Sequence, residues 1–271
     1  MQTVRKPAVA GTFYSAHATE LSRDIAALLN AAPVSPNAQS AAPKALIVPH
    51  AGYIYSGATA ALAYARLAKA RGTIQRVVLL GPVHRVAVRG LALDSATVFA
   101  TPLGEIEIDQ AAVEALAGLP QVVRSPQAHA YEHSLEVQLP FLQSVLDDFK
   151  LVPLAVGDAT PEEVAQVLEA LWGGPETLLV VSSDLSHFLP YDQAQALDGA
   201  TVHAILALAS GVTHTQACGA TPINGLLLAA SRRHLQPCLL GQCNSGDTAG
   251  DKARVVGYAA LEFTEGSHGP H

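Results

Sequence analysis

Lys44-Ala-Leu-Ile-Val-Pro-His50 is a short apolar run that ends on a histidine. Val77-Val-Leu-Leu-Gly-Pro-Val-His84 repeats the arrangement, and Leu178-Leu-Val-Val-Ser-Ser-Asp184-Leu-Ser-His187 ends on an aspartate and a histidine. Runs of this length, bounded by Gly, Pro and polar residues, read as buried strands. In open α/β sheets ligands collect beyond the carboxyl ends of the strands. Three strand ends carrying His, His and Asp/His are therefore expected to converge on one site.

Outward from these runs, strand and helix patterns alternate. A helix is expected near Ser56–Ala70, then a strand at Arg76–Leu80. Residues 86–108 read as short strands and turns, with Glu105/Ile106/Glu107/Ile108 alternating as a half-exposed strand does. Asp109 is placed to cap a helix to about Ala117. A helix near His133–Leu146 contains Pro140, which should kink or divide it. Lys150–Val156 reads as a strand, and Thr160-Pro-Glu-Glu opens a helix to about Trp172 with a cap, a first-turn proline and acids near the positive end of the dipole. Thr177–Ser182 is the next strand, followed by helices near Asp192–Ala209 and Thr221–Ser231 and strands at Gln236–Gln242 and Arg254–Phe263. The pattern predicts one three-layer α/β/α domain over residues 1–263, with a mixed sheet or a hairpin annex at 90–108. The Gly-rich polar tail 264–271, with His268 and His271, is expected to be frayed.

Composition narrows the function. The 271 residues are 49% apolar and 14% charged, with a formal charge of −7. That suits a compact fold with much buried sheet, and without a basic stripe nucleic acid is not an expected partner. No apolar stretch reaches the roughly 20 residues that span a bilayer, and the first residues lack the apolar core of a secretory signal. Cys218, Cys238 and Cys243 form no C-x-x-C pair and read as small buried hydrophobes of a reducing cytoplasm. Pro49-His-Ala-Gly-Tyr-Ile-Tyr-Ser-Gly57 follows a strand but matches neither a P-loop nor a dinucleotide fingerprint.

The remaining chemistry points to a metal. His50 and His84 are borderline nitrogen donors, and two His with one carboxylate and open positions is the arrangement of non-haem Fe(II) oxygenases. Asp184 can supply the carboxylate, with Asp247 a second candidate. His133 and His187 are then the proton-handling residues, Glu132-His133 being read as a helix start whose field keeps the imidazole neutral. Tyr53 is a further pocket candidate, or packs a loop against the core. His17, His129, His203, His214 and His234 read as structural or solvated.

Taken together, Pro7-Ala-Val-Ala-Gly-Thr-Phe-Tyr14, Pro49-His-Ala-Gly-Tyr-Ile-Tyr-Ser-Gly57, Gly81-Pro-Val-His84, Glu132-His-Ser-Leu-Glu136, Ser182-Ser-Asp-Leu-Ser-His187, Cys218-Gly-Ala-Thr-Pro-Ile223 and Val256-Gly-Tyr-Ala-Ala260 resemble the Memo family, in order along residues 4–263. The resemblance implies a fold similar to LigB-like class III extradiol dioxygenases, which cleave catechols with non-haem iron. Bacterial and archaeal members are called AmmeMemoRadiSam system protein B, which implies a radical-SAM protein as partner. Animal members are described as metal-binding redox proteins and as phosphopeptide binders. By position, His50 and His84 match the family's metal-site histidines, and Asp184 and His187 match other pocket residues. Where animal members place a metal-ligating Cys, this chain has Thr248, which leaves the third ligand open between Asp184 and Asp247 and removes a soft donor. Fe(II) is therefore favoured over Zn or Cu. Three functions stay open: a dioxygenase-like oxidoreductase, an accessory or peptide-binding module with a vestigial site, and a metal-assisted hydrolase.

Overall fold

The structure is a computed structural model that describes residues 2–33 and 42–266. Its strands are β1 (Val4–Arg5), β2 (Ala45–Val48), β3 (Arg76–Pro82), β4 (Leu91–Leu93), β5 (Val98–Thr101), β6 (Gly104–Glu107), β7 (Val122–Arg124), β8 (Lys150–Val156), β9 (Thr177–Ser182), β10 (His187–Leu189), β11 (Gln236–Asn244) and β12 (Val255–Thr264). Its α-helices are α1 (Ala18–Ala31), α2 (Tyr53–Tyr64), α3 (Gln110–Ala115), α4 (Pro126–Ala130), α5 (Leu139–Val145), α6 (Pro161–Ala170), α7 (Tyr191–Leu206) and α8 (Ala220–Arg232).

A nine-stranded mixed sheet runs β10-β12-β2-β9-β3-β8-β4-β7, with β11 also paired to β12. Its centre, β2-β9-β3-β8, is parallel, and β12 and β4 join it antiparallel on either side. Every residue of β2 and β9 is buried. This is why those runs read as continuous apolar segments: a parallel strand covered on both faces has no solvent side. Helices α6 and α8 pack together over β3 and β9, while α1, α2 and α5 form a second group against β2 and β12. The result is the expected three-layer α/β/α architecture with a mixed sheet. The hairpin annex is present as well, because β5 and β6 join β1 in a separate three-stranded sheet.

Local signals act where they were expected. Thr160 and Glu163 form a reciprocal capping box with Pro161 in the first turn of α6. Asp109 accepts the Ala112 N–H and starts α3. Pro140 does divide its segment. A 3-10 turn at Glu136–Gln138 precedes α5, whose first turn holds the proline. His133 therefore precedes the turn and does not begin a helix, so a helix field is not what sets its protonation. Thr264 closes β12 and does not begin the tail. Residues 267–271, with His268 and His271, lie outside the described residues.

Helix α1 went unread in the sequence, although Leu21 and Ile25 are buried four residues apart and Leu28 packs one turn further on. The N-terminal segment is tied down by Glu136. This fully buried carboxylate accepts from the Arg5 guanidinium, the Ala8 and Val9 N–H groups and the Tyr14 hydroxyl. Among the described residues, no helix is long and apolar enough to cross a membrane.

Candidate metal centre

Because β9 lies between β2 and β3 in the parallel sheet, the ends of all three strands open on the same edge. Strands two places apart stand roughly 10 Å from each other, a gap that two imidazoles reaching inward can close. The structure brings His50, His84 and His133 together there. One ligand atom from each lies within 4.8 Å of the others. The His84 and His133 rings stack with centroids 4.6 Å apart, and the His50 ring stands edge-on to both at 5.4 Å.

Hydrogen bonding fixes the His50 tautomer and orients His84. The Ser182 hydroxyl has one hydrogen, which it donates to the Ser134 carbonyl at 2.6 Å. Its lone pairs must then accept from Gln138 Nε2 at 2.8 Å and from His50 Nδ1 at 2.9 Å. His50 thus carries its hydrogen on Nδ1 and keeps a lone pair on Nε2. His84 Nδ1 donates to Glu132 Oε1 at 2.8 Å, so Nε2 is the ring nitrogen left to face an ion. Glu132 also accepts the N–H groups of His84 at 2.7 Å and of His133 and Ser134 at 2.9 Å each. Burial alone would raise the Glu132 pKa, but the bonds from the His84 ring and the backbone hold it at about 2. Burial, reinforced by the neighbouring imidazoles, lowers His50 to about 3 and His133 to about 4. These two are neutral at ordinary pH. The group runs from His50, 1% exposed, to His84 at the solvent.

Three clustered imidazoles, two with Nδ1 committed to a hydrogen bond and one of these backed by a carboxylate, fit a divalent ion of borderline softness. The expected carboxylate is not among the donors. Asp184 is buried, and its Oδ1 accepts the His50 backbone N–H at 2.7 Å, so it braces the His50 turn. Burial is the main cause that raises its pKa. Asp247 and Thr248 are also elsewhere, exposed and engaged in their own 3-10 turn. Asp247 accepts the Asn244 N–H and the Tyr191 hydroxyl, and Thr248 Oγ1 donates to the Ser245 carbonyl. His187 donates Nδ1–H to the Leu185 carbonyl at 2.8 Å and lies near enough for its charge to bear on His50 and Asp184. Tyr53 packs against Tyr14 and Phe141 and gives its hydroxyl to the Val137 carbonyl, which is a packing role.

Ser134, Gln138, Ser182 and Cys218 were not read as site residues. For the first two a signal existed, since with Glu136 they are the polar residues of the largely apolar stretch Ser134–Leu142, and both are fully buried. Cys218 Sγ stands 3.4 Å from His50 Nε2. Burial and the nearby Asp184 push its thiol up to about 12, so it is protonated and not a standing nucleophile. A cleft of about 940 Å³ lies at the opposite, amino end of β3 and β8. Arg76 pairs there with Asp109, and Arg71 with Asp147.

Fold and site together define a mixed-sheet α/β protein with a candidate imidazole metal centre over the ends of its parallel strands. The chain belongs to the Memo family, matching the Memo-like protein family over residues 5–262. It is 34% identical to a MEMO1 family protein of Metallosphaera sedula over 96% of this chain and 99% of the relative. It is 36% identical to a MEMO1 family protein of Aquifex aeolicus, again over 96% and 99%. The crystal structure of uncharacterized protein JW3007 from Escherichia coli K12 has a similar fold. The TM-score is 0.51 at 16% identity, covering 80% of this chain and 98% of that one.

Proposed function

We propose that this chain is a metal-binding protein whose ion is held by His50, His84 and His133, with open positions for an oxygen-bearing substrate. The observation that carries the reading is the set of three imidazoles within 4.8 Å, two of them with Nδ1 already committed to a hydrogen bond. A bound ion would supply Lewis acidity and, if it is Fe(II) or Cu, redox chemistry. Glu132 orients His84 and offsets part of the ion's charge. Asp184 and Ser182 hold the His50 backbone and ring. His187, with Nδ1–H already committed, keeps Nε2 to hold or move a proton at the edge of the site.

Two reactions suit such a centre. Oxidative chemistry of dioxygenase-like ancestry, with Fe(II), follows from the LigB-like fold. Activation of water for hydrolysis is favoured by the donor set itself, since three histidines are a catalytic zinc arrangement whereas the oxygenase triad needs a carboxylate.

Anaerobic purification and metal analysis test the centre. Oxygen uptake with a catechol panel and hydrolysis of activated esters then separate the reactions. One bound ion per chain, lost on His84→Ala, is the expected result. A protein that takes up no Fe(II), Zn or Cu but binds a radical-SAM protein or a peptide would replace the metal reading with an accessory role.

A further inference from the structure

We propose that the outer edge of β6 docks an extended, basic segment of a protein partner as an added strand. The inference is independent of the metal centre, which lies at the other end of the sheet. β6 stands last in the order β1-β5-β6, so among the described residues no strand covers that edge. Glu105, Ile106 and Glu107 all line the cleft of about 940 Å³ at the amino ends of β3 and β8. Successive side chains point to opposite faces of a strand, so a cavity meets all three only along the edge. Beyond Glu107 the edge is closed. The Asp109 N–H donates to the Leu151 carbonyl at 2.9 Å, in a bridge that joins Ile108 to Leu151. Before that bridge, β6 and residues 147–150 part, and the cleft lies between them.

The ladder shows which backbone groups are free. Along an antiparallel pair, residues that exchange hydrogen bonds alternate with residues whose N–H and C=O turn away. The Ile108 N–H donates to the Thr97 carbonyl at 3.0 Å, and Val98, opposite Glu107, turns its own N–H away to the Thr3 carbonyl at 3.2 Å. Glu105 and Glu107 are therefore the outward residues of β6. The Glu105 N–H and C=O and the Glu107 N–H have no partner among the described residues, along an edge about 7 Å long. Charge then selects the occupant. Each cation lining the cleft, Arg71, Arg76 and Lys150, has a carboxylate partner, whereas Glu105, Asp148 and Glu176 make no ion pair among the described residues. A second copy of β6 would set glutamate against glutamate, which destabilises a strand pair. Lys or Arg at alternate positions of an added strand would instead stand across from Glu105 and Glu107.

Fluorescence anisotropy of the full chain with a labelled acetyl-Val-Lys-Val-Lys-Val-amide peptide tests the site. Wild type should bind it, and should bind the peptide with Glu in place of both Lys at least about tenfold more weakly, since two cross-strand pairs turn from attractive to repulsive. Methylating the backbone nitrogens of one alternate set of peptide residues should abolish binding, and methylating the other set should leave it, because only alternate N–H groups face the edge. Glu105→Lys combined with Glu107→Lys, both on exposed side chains, should weaken the lysine peptide about tenfold or more and strengthen the glutamate peptide. No binding of the lysine peptide to wild type at about 1 mM would overturn the proposal. Equal affinity for the charge-reversed variant, or an equal response to the two methylated sets, would overturn it as well.

Discussion

Glu132 grips His84 at two points. Oε2 accepts the backbone N–H at 2.7 Å and Oε1 accepts the ring Nδ1–H at 2.8 Å. The ring can neither swing away nor change tautomer without breaking a bond to a carboxylate held ionised at about pKa 2. Glu132→Gln keeps the shape but removes the charge and one acceptor. Metal affinity should fall roughly 10–100-fold, measured by competition with a chelator. Unchanged affinity would show that His84 is not a ligand through Nε2.

Donor identity is read by occupancy. His133→Ala and His84→Ala should each lose most of the metal, whereas Asp184→Asn should retain it because its carboxylate serves the His50 backbone. Loss of metal in Asp184→Asn together with retention in His133→Ala would restore the two-histidine, one-carboxylate triad.

Gly81 affects the site without touching an ion. A Cβ there would meet Ser134 Oγ at 2.7 Å and Leu135 Cδ2 at 3.0 Å. Gly81→Ala should push the Glu132–Ser134 segment off the end of β3 and weaken metal binding about tenfold, the cost expected when the support of a ligand is lost. Equal affinity, by the same chelator competition, would show that the segment yields without moving His133.

Glu136 should matter to folding more than to the metal. Glu136→Ala leaves Arg5, which is 7% exposed, without its carboxylate. Breaking a buried pair by removing one partner costs about 3–5 kcal/mol. Urea unfolding should show that loss, and limited proteolysis should cut the segment before Tyr14 faster than in wild type. A loss below about 1 kcal/mol, the scale of exposed pairs, would assign the N-terminal anchoring to other contacts.

Acid should destabilise the metal-free protein early. His50 and His133 titrate at about 3 and about 4 in the fold, against about 6.5 in an unfolded chain. Between those values the unfolded chain binds protons that the folded one does not. Stability is therefore fully present above about pH 6.5 and declines as pH falls towards 4. The decline between pH 7 and 5 is on the order of 2 kcal/mol for each histidine. His50→Asn should remove about half of this dependence in paired urea titrations. Curves for wild type that superimpose at pH 7 and 5 would contradict the neutral burial of both rings.

Much of the site was legible because strand ends announce themselves. The Val48/Pro49, Pro82 and Ser182 boundaries fall where the apolar runs stop, and His50 and His84 follow within two residues. Helix α1 was missed although its leucine and isoleucine spacing was present, and β7, α4 and β10 are too short to carry a period. His133 could be singled out but not assigned, because the turn that presents it depends on Glu132 reaching His84, 48 residues away.

The sequence by itself determined the buried parallel strands, the capped helices and which residue types stand at the strand ends, since these follow from local apolarity, turn chemistry and chain order. The tertiary structure alone decided which donors face one another. Insertion of β9 between β2 and β3 sets the gap that the imidazoles close. The hydrogen-bond inventory of Ser182 fixes the His50 tautomer, and the packing of the Cys218–Gly219 turn on Ser183 carries a thiol to that imidazole. Each of these relations joins residues dozens of positions apart. It exists only when burial forces every polar group to find a partner, and that condition is set by the folded chain as a whole.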